Sequence, residues 1–156
     1  MDELLADSPA DIVANLLVAM GLGVANNPSL AVQVDWSVYT SGEPESPDSV
    51  ITVYDTQGRL DGVTTPDRMM NEHVGIQIRV RSQDHPTGWK KINAIAVALI
   101  NQVDQAVVQG PSGDEYIVYS ILQTGAINTL GKEAGKSRRR LFTYNAICAI
   151  GNQAGG

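Results

Sequence analysis

Apolar side chains that recur three or four residues apart predict two amphipathic helices. In the first, Ile12, Leu16 and Met20 share one face. Ser8 and Asp11 have the spacing of a capping box, so we expect this helix to begin near Ser8. The second helix is longer, and its predicted apolar face consists of Ile92, Ile95, Ala96, Leu99, Ile100, Val103 and Val107.

Two-residue alternation and runs of β-branched residues predict the strands. The clearest is segment 74–80, in which four aliphatic side chains alternate with Gly, Gln and Arg. Residues 40–49 hold two prolines and three acidic residues, which indicates an exposed loop, and residues 55–72 show no period, which indicates a long loop. The predicted strands are 32–38, 50–54, 74–80, 116–124 and 141–150.

The predicted order is helix, three strands, helix and two strands. Consecutive strands with short connections tend to pair antiparallel, and two amphipathic helices can cover one face of a sheet. We therefore expect an α+β fold, a two-layer domain with a mostly antiparallel sheet of about five strands and two helices on one face. The length of 156 residues fits a single domain spanning 1–156 with flexible termini.

Composition restricts both the compartment and the chemistry. No apolar run reaches the roughly 18 residues that a membrane span needs, and the acidic first residues lack signal-peptide features, so we expect a soluble, cytoplasmically made chain without a membrane partner. The single cysteine, Cys148, is expected to be a buried small hydrophobe. Trp36 and Trp89 are expected in the core or at its rim, whereas His73 and His85 lack metal-ligand spacing. We expect no catalytic residues, cofactor or metal.

The charge is divided unevenly along the chain. Residues 1–72 carry 12 acidic and two basic side chains, a net charge of −10, whereas residues 73–156 carry five acidic and nine basic ones, a net charge of +4. Opposite charges on different surfaces would favour head-to-tail contacts between copies, the arrangement that closes into rings. The alternative is that folding intermixes these charges over the surface.

The segment Gly131–Ser137 (GKEAGKS) resembles a phosphate-binding loop only in part. That motif needs four residues between its glycines and a helix after it, whereas here three residues separate the glycines and a strand follows. A hairpin turn is the better interpretation. The basic side chains around it suit a protein interface with an acidic partner, and incidental DNA contact or a merely solvated hairpin are the alternatives.

Three stretches carry a resemblance to a known family. They are an acidic proline loop leading into a β-branched strand (42–56), an alternating strand that runs into a long helix (74–99), and a strand, a Leu-Gly-basic turn and a terminal strand (121–150). After an opening amphipathic helix, this order resembles the small tail-completion proteins of long-tailed bacteriophages, the tail terminator or minor capsid family. The most specific parts are the S-P-D-x-V-x-T-V-Y-D-T stretch and the Leu-Gly-Lys turn.

The resemblance implies a structural virion protein without enzymatic activity or cofactor. In that family the subunits form a ring, typically a hexamer, that caps the finished tail tube, ends its polymerisation and presents a surface to the neck of the filled head. The implied partners are other copies of the chain, the tail tube protein and a head-closure or neck protein, with DNA only passing through the ring. The implied location is the head-proximal end of the tail.

The charge division and the resemblance together give candidate interface residues. We expect ten charged side chains to contribute to contacts between subunits or with the tail tube: Lys132, Lys136, Arg138, Arg139, Arg140, Arg79, Arg81, Glu43, Glu45 and Asp48. Three other functions stay open at this point. They are a head-closure or neck connector docked on the portal-adaptor assembly, a small nucleotide-dependent enzyme that uses Gly131–Ser137, and a sequence-blind DNA binder.

Overall fold

The computed structural model describes residues 6–25, 34–44, 47–59, 72–103, 105–132 and 139–152. Within these residues it has two helices, α1 (Pro9–Ala19) and α2 (His85–Gln102). The strands of the same residues are β1 (Val24–Ala25), β2 (Ser37–Thr40), β3 (Val50–Arg59), β4 (Glu72–Ser82), β5 (Ala106–Gln109), β6 (Glu115–Gln123), β7 (Asn128–Lys132) and β8 (Arg140–Asn152).

The sheet is larger and more curved than the sequence predicted. Its strands lie in the order β1-β2-β3-β4-β8-β6-β5, with β7 also paired to β8. Eight strands curl into a half-barrel, so the predicted two-layer domain with about five strands and two helices on one face is wrong. The physical reason is the length of β8, whose 13 residues pair with β4 along one side and with both β6 and β7 along the other. Long, right-handedly twisted strands coil when they pair over their full length.

One edge of the sheet is parallel, contrary to the antiparallel pairing expected of neighbouring strands. β1 pairs in parallel with β2, and β2 pairs in parallel with β3, with Ser37 opposite Val50. The connection 41–49 must therefore return along the whole length of β2 before β3 begins. Trp36, which the sequence placed in a strand, has a φ of 65° and lies in the turn before β2.

Both helices and the sheet contribute to a single hydrophobic core. Ser8 caps α1 by accepting a hydrogen bond of 3.2 Å from the Asp11 amide, as the capping spacing predicted. Cys148 is fully buried, which confirms its assignment as a small hydrophobe, and burial raises the pKa of its thiol to about 12. The other core side chains include Ile12, Leu16, Leu17, Ile76, Ile78, Val80, Ile92, Ile95, Leu99, Phe142, Tyr144 and Ile150.

Several element boundaries differ from the predicted ones. α2 ends at Gln102, so Val107, predicted on its apolar face, instead lies in β5 and is 54% exposed. β3 extends to Arg59 and β4 begins at Glu72, which makes part of the predicted 55–72 loop a strand pair. The remainder of that predicted loop, residues 60–71, lies outside the described residues.

The face of the sheet turned away from the core is polar along its central strands. Register places Thr52, Arg79 and Thr143 side by side on β3, β4 and β8, and places Tyr54, Gln77 and Asn145 side by side in the next row. Side chains alternate between the two faces of a strand, so these rows lie opposite the core residues. We call this side of the sheet the polar face.

Candidate functional site

Five of the ten charged residues predicted at an interface meet at one end of the polar face. Glu43 and Asp48 come from the loop between β2 and β3, Arg79 and Arg81 come from β4, and Arg139 precedes β8. We call this group the arginine–carboxylate cluster. Within it, basic residues from the second half of the chain neutralise acidic residues from the first half.

Arg81 is the buried centre of the cluster, with a relative exposure of 2%. Its Nη2 donates a hydrogen bond of 2.7 Å to the carbonyl of Pro47, and its Nε donates one of 3.3 Å to the carbonyl of Asp48. Its Nη1 lies 3.7 Å from Glu43 Oε2. One guanidinium thus fixes both limbs of the returning loop 41–49, which explains how the parallel connection is held against the sheet.

Glu43 is shared between two arginines and a tyrosine. Arg79 Nη1 donates to Glu43 Oε1 over 2.9 Å, and the Tyr54 hydroxyl lies 3.4 Å from the same oxygen. The Arg79 guanidinium stands 5.1 Å from the centre of the Tyr54 ring, within range of a cation–π contact. Burial raises the pKa of Tyr54, and the nearby Glu43 charge raises it further. The phenol therefore stays protonated and acts as a donor.

Asp48 links the loop to β8. It accepts a hydrogen bond of 2.7 Å from Arg139 Nε and another from the side-chain amide of Gln83. The hydrogen bond from Gln83, followed by that from Arg139, lowers the pKa of Asp48 below its ordinary value of 3.8. The contact joins residues 91 positions apart in the sequence, so only the folded chain brings it together.

The lowered pKa of Asp48 makes a prediction about acid stability. A carboxyl whose pKa is lower in the folded than in the unfolded chain stabilises the fold above its unfolded pKa, near 3.8, and loses this contribution as the pH falls through the folded pKa. Asp48→Asn should therefore be less stable than wild type at pH 7, and the difference should shrink below pH 3.8. Urea unfolding at both pH values measures this, with Asp35→Asn as an exposed control. A difference that is equal at both pH values would contradict the assignment.

The other predicted interface residues lie elsewhere or are not described. Arg140 opens β8 opposite Ser82, and alternation places it on the same face as Phe142. Lys132 ends β7, where its backbone pairs with Arg140, as the predicted hairpin requires. Glu45, Lys136 and Arg138 fall outside the described residues, as does most of Gly131–Ser137.

Sequence reasoning missed the polar partners of the cluster. Tyr54, Gln77, Gln83 and Asn145 were not among the predicted interface residues, although Gln77 donates a 3.1 Å hydrogen bond to Asn145 and Gln83 binds Asp48. The signal for Gln77 was present, because it lies two residues before Arg79 and therefore on the same face of β4 as the two arginines. No sequence pattern indicated which residues of loop 41–49 face them.

An exposed aromatic group lies at the start of α2. Trp89 is 42% exposed rather than a core residue, and its ring stacks on His85 with centres 6.5 Å apart. Both rings lean on buried Phe142, at 5.3 Å from His85 and 6.4 Å from Trp89. Trp89 therefore lies at the rim of the core, which is one of the two positions that the sequence predicted for it.

An open groove of about 410 Å³ lies between α1 and the parallel edge of the sheet. Its polar lining consists of Asp11, Asn15, Tyr39 and Thr40, and its apolar lining consists of short side chains of α1 together with Ala25 and Val38. Among the described residues that line the groove, Asp11 supplies a carboxylate, and none is a histidine, cysteine, lysine or arginine. The groove therefore offers hydrogen bonds and a single charge.

The arginine–carboxylate cluster can fix loop 41–49 against the sheet and present charged side chains to solvent. Its charges already satisfy one another, and in the described part of the chain no group of three or more His, Cys, Asp or Glu side chains is placed to hold a metal ion.

Neither helix of the described residues is both long and apolar enough to cross a membrane. No protein-family model matches the sequence, and no curated protein matches it either.

Proposed function

We propose that this protein is a structural virion component that forms a homo-oligomeric ring on the head-proximal end of a phage tail tube. The ring would end tube polymerisation and present the surface that joins the head. In this proposal the chain acts through its surfaces on other copies of itself, on the tail tube protein and on a neck protein. The hexamer is the expected ring, since that is what the family resemblance implies.

The observation that carries the proposal is a contact between two of the three stretches that carry the resemblance. The S-P-D-x-V-x-T-V-Y-D-T stretch contributes Asp48, and the basic segment after the Leu-Gly-Lys turn contributes Arg139, which bind each other over 2.7 Å. Arg81, from the alternating strand of the resemblance, binds the same loop through Pro47 and Asp48. The three stretches thus build one structural unit, which supports reading them as parts of a single family pattern.

The role of the candidate interface residues divides according to their exposure. Arg81 is buried and acts within the chain, where it fixes loop 41–49. Arg79 and Asp48 keep 30% and 37% of their side chains exposed, so each can meet a partner while it remains paired. We therefore assign the cluster two roles, a rigid support for the loop and a charged surface beside it.

The experiment that tests this function is removal of the gene from the phage that encodes the protein. Without the ring, electron micrographs should show tail tubes that are overlong or lack a cap, and a copy of the wild-type gene supplied in trans should restore tubes of normal length. A matched rescue with the Arg81→Ala variant should restore fewer capped tubes. Capped tubes of normal length without the protein would refute the proposal.

The second candidate is a head-closure or neck connector, which the same resemblance keeps open. Co-purification distinguishes the two, because a terminator would co-purify with isolated tails whereas a neck connector would co-purify with DNA-filled heads. Recovery of the protein with heads from a mutant that makes no tails would favour the connector.

A further inference from the structure

The start of α2 carries an exposed surface that combines aromatic and basic side chains. We define it by His85, Trp89, Lys90 and Arg140 and call it the aromatic–basic patch. Lys90 is exposed, and in the described part of the chain it has no ion pair. A Cβ atom at Gly88 would overlap the ring of Phe142, so glycine lets α2 lie directly on that ring and holds the patch in place.

A second surface, at the start of α1, is acidic. Asp7 accepts hydrogen bonds from the Tyr116 hydroxyl at 2.9 Å and from the Ser112 amide at 3.1 Å, which ties the segment before α1 to the turn between β5 and β6. Asp55 accepts one of 2.8 Å from the Ala10 amide. Four carboxylates on or next to these segments have no ion pair in the described part of the chain, and we call them the acidic end: Asp11, Asp55, Asp114 and Glu115.

The two surfaces are separated along the strands. Arg140 is opposite Ser82, at the end of β4, whereas Asp55 is opposite Ile76, six residues earlier on the same strand, a separation of about 20 Å at 3.3 Å per residue. Tyr116, next to Glu115, is opposite Asn152, twelve residues along β8 from Arg140, a separation of roughly 40 Å. Opposite charges this far apart are largely screened from each other at physiological salt.

The acidic residues near the patch have other partners. Asp84, the N-cap of α2, keeps its negative charge, but its 2.8 Å hydrogen bond from the Thr87 amide places that charge at the partial positive charge of the helix N-terminus. Asp48 and Glu43 are bound by Arg139, Arg79 and Arg81. Trp and Arg, both present in the patch, are enriched among the interface residues that carry most of the binding energy.

We propose that the aromatic–basic patch of one copy docks on the acidic end of a second copy, as the repeating contact of the ring. The occupant is a second copy because the complementary charge is present on the same chain but at its far end. A contact between two different surfaces is heterologous, and its repetition closes into a ring when the rotation between copies permits. This inference rests on the proposed function and names the interface that the ring would use.

The test is a pair of charge reversals that complement each other. Lys90→Glu spoils the patch and leaves the acidic end intact, whereas Glu115→Lys does the reverse, and both residues are exposed. Each variant alone should associate at least tenfold more weakly than wild type. An equimolar mixture should form mixed species, because the intact patch of one variant meets the intact acidic end of the other. Native mass spectrometry with one variant labelled with ¹⁵N identifies these species.

A matched control adds charge outside both surfaces. Ser120→Glu changes an exposed position of β6 and should associate like wild type, and unchanged urea midpoints should show that all three variants fold. The proposal is overturned if wild type is monomeric at every concentration, if either charge reversal associates like wild type, or if the mixture stays unassociated. If the Lys90→Glu variant forms rings as wild type does, this interface alone is overturned. If tails are normal after the gene is deleted, the proposed function alone is overturned.

Discussion

Replacing Arg81 by alanine is expected to destabilise the fold by about 3–5 kcal/mol, the usual cost of removing one partner from a buried ion pair. The side chain is 2% exposed, and its loss leaves the carbonyls of Pro47 and Asp48 without the guanidinium that binds them and removes one of the two guanidinium groups at Glu43. Loop 41–49 would lose its anchor, although the core behind the sheet is untouched. Urea unfolding monitored by tryptophan fluorescence measures the loss.

Arg79→Ala is the matched control, because Arg79 lies on the same strand as Arg81 and binds the same carboxylate, that of Glu43. Its side chain is 30% exposed, so water screens its ion pair with Glu43 more than that of Arg81, and we expect a smaller loss of about 1 kcal/mol. Arg81→Lys should fall between the two, since an ammonium cannot reach the three acceptors that the guanidinium spans. Equal losses for Arg79→Ala and Arg81→Ala would show that burial does not distinguish the two arginines.

Phe142→Ala is the second substitution with a large expected effect, a loss of about 3–5 kcal/mol from a cavity in the core. Phe142 is fully buried and supports the rings of both His85 and Trp89. The substitution should therefore reduce stability and also release Trp89, which a red shift of its fluorescence in the still-folded protein would report.

Trp89→Ala is the control for this effect, since the exposed ring stands above Phe142 rather than within the core. We expect it to cost about 1 kcal/mol or less, which is typical of substitutions outside the core. The contradictory result would be a loss for Trp89→Ala as large as that for Phe142→Ala, because the aromatic group would then be part of the core.

The sequence predicts the elements that depend on local pattern. The α1 cap at Ser8 and the alternation of β4 follow from side-chain spacing within a few residues, and the structure contains both. Cys148 is buried as expected, because it shares one face of β8 with Ala146 and Ile150. These features need no information about distant parts of the chain.

The errors arise where distant segments decide the outcome. Val107 fits the helical period of α2, but it pairs in β5 with Ile117 of β6, so long-range pairing prevails over local periodicity. The parallel pairing of β2 with β3 depends on the loop that connects them. Arg81, which holds this loop, lies more than 30 residues away from it in the sequence. β7 was missed because its pairing with β8 is interrupted by a register shift.

The candidate site shows the same division. The charges of the interface prediction were visible in the sequence, and five of them do converge, but their partners are one another. Whether charged residues meet a partner chain or pair within the fold depends on where loop 41–49 lies. That position is determined by the register of β2 and β3 and is not encoded in any local pattern.

The mass of the native protein in solution addresses most directly whether this chain is a unit of assembly. With rising concentration at low salt, native mass spectrometry should show a single dominant species at an integer multiple of 16.7 kDa, six copies being expected, and that species should weaken as salt is raised. A chain that keeps the mass of one copy at every concentration and salt would contradict the ring.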